Sequence, residues 1–228
     1  IIPDDVSWHV SSDQELEDLK AWWGGRLPRS HSLIIQPDPP IAPIEQPSVG
    51  PQTPRLVVVF ASRIDRMKGL DTAITILTQS DFPLEFHVYG DVADMQYWTE
   101  CQQLLKHLPP NVTIQIHGAY NPEEVREVFS TADVCLLPTR GENFGHVISE
   151  ALSVGCPVAT STKTIWTEVV GQGGVASDDP SAVLVYLRDR HEALSERQQP
   201  RRTVFSAYEA WYRTHIQDAI SVFDAVLR

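Results

Sequence analysis

Two glutamates eight positions apart lie in the stretch TRGENFGHVISEALSVGCPV, which covers residues 139–158. The pattern places Glu142 in a glycine-flanked turn and Glu150 in the second turn of a helix that starts near Phe144. Because an α-helix rises about 1.5 Å per residue, the two carboxylates would lie roughly 10 Å apart along the helix direction. That distance is too large for two ligands of one metal ion. It suits hydroxyl groups at opposite ends of one extended ligand, since a carboxylate accepts hydrogen bonds from both hydroxyls of a diol.

A pair of cations follows the first long apolar run of the chain, in the stretch SRIDRMKG. Arg63 and Lys68 flank a short loop that runs into a helix, whose N-terminal amides and dipole favour negative charge. Arginine offers a planar fork that fits phosphate oxygens, and lysine offers a compact point charge. These residue types favour a phosphate site, although both side chains could equally belong to an ordinary surface loop. The amides around Phe144 and Gly145 form a second helix start of the same kind.

Glycines follow the next two apolar runs, Gly90 in LEFHVYG and Gly118 in VTIQIHG. Glycine lets a planar base approach the main chain closely, but it is also an ordinary residue of strand-to-helix turns. His117 ends its strand and is a candidate to face the ligand, whereas His87 lies within a strand and is interpreted as a core or pleat residue. A diol at each end, a diphosphate in the middle and a planar base together describe one ligand, a nucleotide-sugar.

Apolar runs alternate with helical patterns from Arg55 onwards. RLVVVFAS is continuously apolar, which is typical of a strand covered on both faces of a parallel sheet. The alternation predicts an α/β fold, a Rossmann-like doubly wound parallel sheet of about six strands, which binds ligands outside the carboxyl ends of its strands. Within it, Asn121 is the expected N-cap of a helix with Pro122 at its first position, and Gly155 is expected to end another. The predicted strands are RLVVVFAS, LEFHVYG, VTIQIHG, DVCLLP, CPVATS and GGVAS, and the predicted helices are KGLDTAITILTQ, MQYWTECQQLLKHL, NPEEVREVFSTA, FGHVISEALSVG and DPSAVLVYLRDRHEALSE.

A proline-rich stretch, PDPPIAPIEQPSVGPQTP, divides the chain. It occupies residues 37–54 and is interpreted as an extended interdomain linker, because proline disfavours helices and central strands. Residues 1–36 hold a short strand and a helix that is opened by a capping box at Ser12 and Glu15. They are too few to bury a core and are interpreted as the remnant of a preceding domain. Residues 55–228 form the regular domain.

The composition limits the partners of the chain. With 18 Lys and Arg against 30 Asp and Glu, the net charge is −12, which argues against nucleic acid as a partner. Cys135 and Cys156 lie in apolar strand contexts and are interpreted as buried thiols. The odd number of cysteines and the lack of a signal peptide favour a cytoplasmic protein. A basic group near the C-terminus is interpreted as a solvated helix face and loop rather than a docking patch; it consists of Arg188, Arg190, Arg197, Arg201 and Arg202.

Two motifs resemble a known family. The pattern R-x-x-x-x-K-G at residues 63–69, followed by E-x-F-G-x-x-x-x-E-A at residues 142–151, resembles the C-terminal, donor-binding domain of the retaining GT-B glycosyltransferases of group 1, family 4. The resemblance covers about residues 54–228. It implies transfer of a sugar from a nucleotide-diphosphate sugar with retention of the anomeric configuration, no metal ion and no other cofactor. The leaving phosphate would help to take the proton of the acceptor. The chain has no D-x-D motif, which fits metal independence.

The resemblance also implies a role for each matching position. Arg63 and Lys68 would hold the donor diphosphate and stabilise it as it leaves. Glu142 would bond the hydroxyls of the transferred sugar, Glu150 those of the ribose, and main chain near Gly118 would meet the base. The predicted catalytic set is Arg63, Lys68 and Glu142, and the predicted donor-binding set is Gly90, His117, Gly118, Asn143, Phe144, Gly145, His146, Val147 and Glu150.

The chain departs from the family pattern in sequence and in length. Asn143 stands where the family usually has glycine, and asparagine tolerates a positive φ better than most residues. The acceptor-binding domain is nearly absent: residues 1–36 resemble its last strand and helix, and the C-terminal helix resembles those that cross back to it. Tyr208, Trp211 and Tyr212 are therefore expected to be partly exposed. The resemblance implies a fragment that is inactive alone, with the missing N-terminal domain, a glycan or lipid-linked acceptor and peripheral membrane contact as partners.

Other interpretations compete with a transferase. Another GT-B enzyme, such as a nucleotide-sugar epimerase or a phosphorylase, would share the phosphate site, but the spacing of Glu142 and Glu150 fits a transferase better. A non-catalytic nucleotide-sugar-binding module would explain the missing domain, but not the retained stub before the linker. A dinucleotide-binding Rossmann domain would need G-x-G-x-x-G after the first strand, and this sequence has none there. No single side chain encodes the base, the sugar or the acceptor.

Overall fold

The computed structural model describes residues 7–10, 13–25, 32–35, 41–51, 53–121 and 124–226. The strands within this part are β1 Ser7–Val10, β2 Ser32–Ile35, β3 Leu56–Ala61, β4 Leu84–Tyr89, β5 Val112–Gly118, β6 Val134–Leu137, β7 Val158–Thr160 and β8 Val175–Ala176. The helices are α1 Asp13–Trp22, α2 Leu70–Leu77, α3 Met95–Leu105, α4 Val125–Ser130, α5 His146–Ser153, α6 Thr167–Val170, α7 Pro180–Glu192 and α8 Gln198–Val226, with a short 3-10 helix at Leu194–Glu196.

Six strands form one parallel sheet in the order β5-β4-β3-β6-β7-β8. β1 and β2 form a separate parallel pair. The chain moves outward from β3 to β5 and then returns to the other side of β3 to enter β6, so the direction of winding reverses between β3 and β6. With right-handed crossovers, the helices of the two halves lie on opposite faces of the sheet. The predicted doubly wound parallel sheet is therefore confirmed.

The burial of the strands follows their place in the sheet. All six residues of β3 are buried, as its continuous apolar run predicts for a central strand. β4 alternates buried and half-buried residues, and most of β5 is exposed because it lies at the edge of the sheet. Cys135 and Cys156 are fully buried free thiols, as predicted.

Two helix ends were predicted, with opposite outcomes. Gly155 takes a left-handed conformation with φ 76°. Its N–H donates to Leu152 O, and the next N–H donates to Ala151 O, which is the hydrogen-bond pattern of a Schellman motif and confirms the predicted end of α5. The expected N-cap at Asn121 is wrong: α4 begins at Val125 with Glu124 as N-cap. A turn closed by a bond from the Glu124 N–H to Asn121 O precedes the helix, and Pro122 lies outside the described residues.

The proline-rich stretch packs against the end of α5 in its described part, residues 41–51. The N–H groups of Ile44 and Ser48 donate to Ser153 O and Val154 O at 3.1 and 3.0 Å. Its role as an interdomain linker stays a prediction.

Helix α1 lies before the proline-rich stretch, where a helix was predicted. Ser12 of the expected capping box lies outside the described residues.

The interpretation of the basic group as a solvated surface is wrong for two of its members. Arg201 is only 1% exposed. Its guanidinium donates to the carbonyls of Ser48 and Ala132 and, at 3.3 Å, to that of Phe129 at the end of α4. Arg197 pairs with Asp133 at 2.7 Å. The physical reason is that the last carbonyls of a helix need donors, and a guanidinium supplies up to five.

The expected exposure of the C-terminal aromatics is also wrong in one place. Tyr208 is fully buried. Its ring lies 5.8 Å from that of Trp166, and its hydroxyl donates to Ile41 O at 2.6 Å. Trp211 and Tyr212 are half-buried, as expected. The proline-rich stretch and Trp166 thus cover Tyr208 within this chain.

Candidate functional site

Two loops bring the predicted catalytic residues together at the end of the sheet where the parallel strands have their carboxyl ends, here called the carboxyl edge. The loop after β3 carries Arg63 and Lys68, and the loop after β6 carries Glu142. β3 and β6 are hydrogen-bonded neighbours, and the winding of the sheet reverses between them. Such a switch point opens a crevice, because the helices that follow the two strands leave on opposite faces.

Lys68 and Glu142 form an ion pair in this crevice. Lys68 Nζ lies 2.7 Å from Glu142 Oε1, and the two side chains are only 18% and 8% exposed. The backbone N–H of Lys68 donates to the carboxylate of Asp65 at 3.2 Å, and that of Glu142 donates to Lys163 O at 3.1 Å. The main chain therefore fixes both ends of the pair. The sequence assigned the two residues to different parts of a ligand and did not predict their contact.

A cleft of about 480 Å³, here called the pair cleft, opens beside Lys68 and Glu142. Its opposite wall is the start of α5, whose first N–H groups have no acceptor within the helix and suit an anion. Arg63 stands at the rim, 68% exposed, with its guanidinium 3.1 Å from the carboxylate of Asp65. Glu15 of α1 also lines the cleft. The predicted site residues that line it are Arg63, Lys68, Glu142, Asn143, Phe144, Gly145, His146 and Val147.

A second cleft of about 260 Å³, here called the Glu150 cleft, adjoins the first. Arg63 and Val147 line both clefts. Burial raises the pKa of the Glu150 carboxyl above its ordinary value, and the nearby His146 opposes that shift. The two carboxylates of the opening motif thus stand in separate clefts that meet at Arg63. The Glu150 cleft is lined by Arg63, Gly90, Asp91, Ala119, Tyr120, Val147 and Glu150.

The turn before α5 accommodates Asn143 without strain. Among the described residues only glycines have a positive φ, so Asn143 occupies ordinary backbone. Gly145, the N-cap of α5, takes the left-handed conformation with φ 79°. Phe144 is 2% exposed and packs edge-on against Trp166 at 5.3 Å. Phe144 therefore presents mainly its main chain to the cleft, and Trp166, which the sequence interpretation missed, holds it there.

The two strand-end glycines differ in what surrounds them. A Cβ on Gly90, which has φ 138°, would lie 1.9 Å from Ser62 O. Glycine is required at this position because the end of β4 packs directly on the main chain after β3. Gly118, with φ 75°, would have nothing within 4 Å of an added Cβ. Of the two, only Gly118 has room for an added Cβ.

His117 lines neither of the two clefts that share Arg63. Its ring stacks on Tyr89 at 4.1 Å, and its Nε2 lies 3.0 Å from Nδ1 of His87. Burial and the neighbouring His87 lower the pKa of His117. It lines a third cleft of about 340 Å³, which touches the Glu150 cleft through Ala119 and Tyr120. His87 is half-buried on β4, which agrees with the predicted pleat position.

The sequence interpretation also missed Asp65, although its position is informative. The carboxylate accepts hydrogen bonds from the N–H groups of Met67 and Lys68 at 2.9 and 3.2 Å. An aspartate that bonds the main chain two residues further on forms an Asx turn, which fixes the course of a loop. The aspartate between Arg63 and Lys68 in the motif is the signal that could have identified it.

The described residues contain neither a metal-binding cluster nor a membrane-spanning helix. No group of three or more His, Cys, Asp or Glu side chains in this part of the chain is placed to hold a metal ion. Among the described helices none is both long and apolar enough to cross a membrane. Metal independence stays a prediction.

Comparison with known proteins places the chain in a family. The family model of glycosyl transferases group 1 matches residues 43–199. The chain belongs to this family, which confirms that part of the predicted resemblance. A D-inositol 3-phosphate glycosyltransferase of Xylanimonas cellulosilytica is 25% identical over 200 residues, which cover 82% of this chain and 45% of the relative. An O-antigen chain mannosyltransferase B of Escherichia coli is 29% identical over 126 residues, 53% of this chain and 32% of the relative. The chain spans less than half the length of these relatives.

Solved structures share the fold. The pneumococcal O-GlcNAc transferase GtfA, in complex with UDP and GlcNAc, superposes with a TM-score of 0.71 at 16% identity over 97% of this chain and 45% of that one. The Anabaena protein HepE, in complex with UDP-glucose, gives a TM-score of 0.69 at 17% identity over 95% of this chain and 63% of that one. At these identities the likeness establishes the architecture of a GT-B domain, and nothing finer.

Proposed function

We propose that the two clefts at the carboxyl edge bind a nucleotide-diphosphate sugar, as the donor half of a retaining glycosyltransferase of family 4. The observation that carries this proposal is the meeting of the two clefts at Arg63, with the buried pair of Lys68 and Glu142 on one side and Glu150 on the other. A cation at the junction suits a diphosphate. A carboxylate in each cleft suits the hydroxyls of a sugar and of a ribose.

The pair of Lys68 and Glu142 gives the site a way to respond to its donor. Without a ligand, each charge has the other as its partner at 2.7 Å. A diphosphate in the pair cleft competes for the ammonium of Lys68, because its two adjacent phosphates carry about two negative charges against the single charge of the carboxylate. The released carboxylate of Glu142 then accepts hydrogen bonds from the hydroxyls of the sugar. Binding of the donor thus prepares both groups for transfer.

The transfer step is proposed to need no reactant other than the donor and the acceptor. The bond between the anomeric carbon and the β-phosphate oxygen breaks, and a bond from the acceptor oxygen to the same face of that carbon forms. The acceptor proton passes to the leaving phosphate. Arg63, Lys68 and the first amides of α5 stabilise the charge that grows on that phosphate, which is the usual way in which fixed cations and N–H groups accelerate such reactions. This step is proposed to proceed without a metal ion or other cofactor.

The donor and the remaining partners follow from the same proposal. Because two of the similar structures hold UDP or UDP-glucose, UDP is the first nucleotide to test, with GDP and ADP beside it. The acceptor, a glycan or lipid-linked molecule, would be bound by an N-terminal domain of which residues 1–36 are the remnant, in a cytoplasmic protein with peripheral membrane contact. The 228 residues alone are expected to bind the donor but not to turn it over.

The test is a calorimetric titration of this chain with UDP, GDP and ADP, each as the bare nucleotide and as its hexose conjugate. Selective binding of one nucleotide, tightened by the hexose, is the expected result. A mixture with excess EDTA should give the same affinity. The absence of heat with all six ligands would contradict the proposed donor site.

A further inference from the structure

Three side chains behind the pair cleft form a continuous hydrogen-bonded chain, here called the loop clasp. Arg140 Nη2 lies 2.6 Å from Asp71 Oδ2, and the hydroxyl of Tyr97 donates to Asp71 Oδ1 at 2.7 Å. The same hydroxyl accepts the backbone N–H of Asp71 at 2.9 Å. Asp71 is in the first turn of α2, Tyr97 is in the first turn of α3, and Arg140 is in the loop after β6. The clasp therefore joins three elements at the carboxyl edge.

The same arginine also holds the loop after β3. Its backbone N–H donates to Met67 O at 2.7 Å, and its guanidinium donates to Arg66 O. Thr139 Oγ1 adds a bond to Met67 O at 2.9 Å. These acceptors immediately precede Lys68, and Arg140 lies two residues before Glu142. The contacts thus set the spacing of the two loops that carry the buried ion pair.

The loop clasp is more than an exposed ion pair, although Arg140 and Asp71 are 41% and 25% exposed. Exposed pairs usually contribute little, because water screens them and ordering two long side chains costs entropy. Here the carboxylate is also held by the hydroxyl of Tyr97, which is fully buried. Burial acts to raise the pKa of Asp71, but the hydrogen bonds from Arg140 and Tyr97 outweigh it and hold that pKa below its ordinary value. The carboxylate stays charged and keeps both partners.

No member of the clasp lines the pair cleft or the Glu150 cleft. These residues therefore do not contact a donor held in those two clefts. We infer that Asp71, Tyr97 and Arg140 are positioning residues, which keep Lys68 and Glu142 at the distance that the donor diphosphate and its sugar require. This inference rests on the proposed function for its ligand, but its effect on the two loops can be measured without one.

The first experiment measures hydrogen exchange by mass spectrometry in the unliganded chain. The variant Tyr97→Phe removes the buried hydroxyl and keeps the ring, and Arg140→Lys keeps the charge but loses the forked geometry. The matched control is Tyr186→Phe on α7, since the hydroxyl of Tyr186 also donates one hydrogen bond, to Gly173 O at 2.9 Å, and this bond involves neither loop. Both clasp variants should speed exchange in peptides that cover residues 63–69 and 139–146 by about fivefold, and the control should not.

The second experiment measures the affinity of the same variants for the nucleotide that the wild type prefers. Tyr97→Phe should weaken binding about five- to tenfold, Arg140→Lys about threefold, and Tyr186→Phe not at all. Equal exchange and equal affinity in Tyr97→Phe and Tyr186→Phe would overturn the positioning role. If the wild type binds no nucleotide, the proposed donor site fails by itself, and the exchange comparison still decides whether the clasp positions the two loops.

Discussion

Arginine has opposite roles at the two ends of the strands, the amino edge and the carboxyl edge of the sheet. At the amino edge, Arg201 is 1% exposed, and its guanidinium is surrounded by main-chain carbonyls of this chain. At the carboxyl edge, Arg63 is 68% exposed and has one carboxylate beside it, that of Asp65. A cation whose donors are all used inside the protein stabilises the fold. A cation that faces a cleft with one exchangeable partner is able to bind a ligand.

The same contrast holds for the carboxylates of the two edges. Asp133 at the amino edge accepts from Arg197 and from the N–H of Val57 at 2.9 Å, so main chain and side chain both fix it. Glu142 at the carboxyl edge has Lys68 as its ion-pair partner. Mutations at the amino edge should therefore lower the stability of the fold, and mutations at the carboxyl edge should lower the affinity for the nucleotide.

The largest effect is expected from Arg201→Met at the amino edge. Methionine fills part of the space but leaves several buried carbonyls without a donor, each at a cost of about 1 kcal/mol or more. The free energy of unfolding should fall by about 3 kcal/mol in a urea titration, while the affinity of the folded protein for its nucleotide stays unchanged. A loss of less than about 1 kcal/mol in the free energy of unfolding, or a loss of nucleotide affinity in the folded variant, would contradict the purely structural role of Arg201.

Gly69→Ala should have the next largest effect, at the carboxyl edge. Gly69 has φ 75°, and an added Cβ would lie 2.2 Å from Pro138 O, so the loops after β3 and β6 must separate. We expect a loss of about 2–3 kcal/mol of stability and a loss of nucleotide affinity. Gly118→Ala is the matched control, because it has the same φ but open space, and should cost about 1 kcal/mol of stability. Equal losses in both variants would show that backbone strain alone, and not the contact of the loops, decides the effect.

Lys68→Ala should weaken binding of the bare nucleoside diphosphate by about tenfold or more, because a charge-assisted bond to the phosphate is lost. Circular dichroism should show that the variant folds, and Lys106→Ala, which removes an exposed lysine at the C-terminal end of α3, serves as control. Unchanged affinity in Lys68→Ala would remove Lys68 from the diphosphate site.

Glu142→Ala should discriminate between two ligands rather than weaken both. Without the carboxylate, Lys68 is free for the diphosphate, so the affinity for the bare nucleotide should stay the same or rise. The affinity for the hexose conjugate should fall about fivefold, because the sugar loses its acceptor. Calorimetry with both ligands measures the ratio of the two affinities. Equal losses of affinity for both ligands would contradict the role of Glu142 as acceptor for the sugar hydroxyls.

The smallest effect on the fold is expected from Glu150→Gln. Burial raises the pKa of the Glu150 carboxyl, so the charged form is disfavoured in the folded state. Such a group stabilises the fold only at acid pH, and its contribution is lost as the pH rises through the raised pKa. Thermal unfolding at pH 7 should therefore show equal or slightly higher stability in the variant, while nucleotide affinity falls about threefold. Lower stability at pH 7 would mean that Glu150 is held by bonds inside the protein.

The features of the fold that depend on local sequence pattern were predicted from the sequence. The apolar run of β3, the alternation of strands and helices and the glycine end of α5 each depend on neighbouring residues, and each is present in the structure. The motif residues also fall on the loops where they were placed. These are properties that period, propensity and turn chemistry encode within about ten residues of chain.

Contacts between distant segments could not be predicted in this way. Lys68 and Glu142 are 74 positions apart, and Arg201 lies 153 positions from the carbonyl of Ser48. The pattern around Arg201 was interpreted as a solvated helix face and loop, because local pattern carries no information about the distant carbonyls that Arg201 meets. The loop clasp was missed for the same reason, since Tyr97 reads from sequence as an ordinary helical core residue.

The most direct test of this account is a nuclear magnetic resonance titration of the labelled chain with the preferred nucleoside diphosphate. Amide shifts are expected at the carboxyl edge, in residues 63–69, 118–120 and 142–150, and none at the amino edge around Ser48, Asp133 and Arg201. Shifts centred on the amino edge, or spread evenly over the sheet, would contradict the assignment of the donor site.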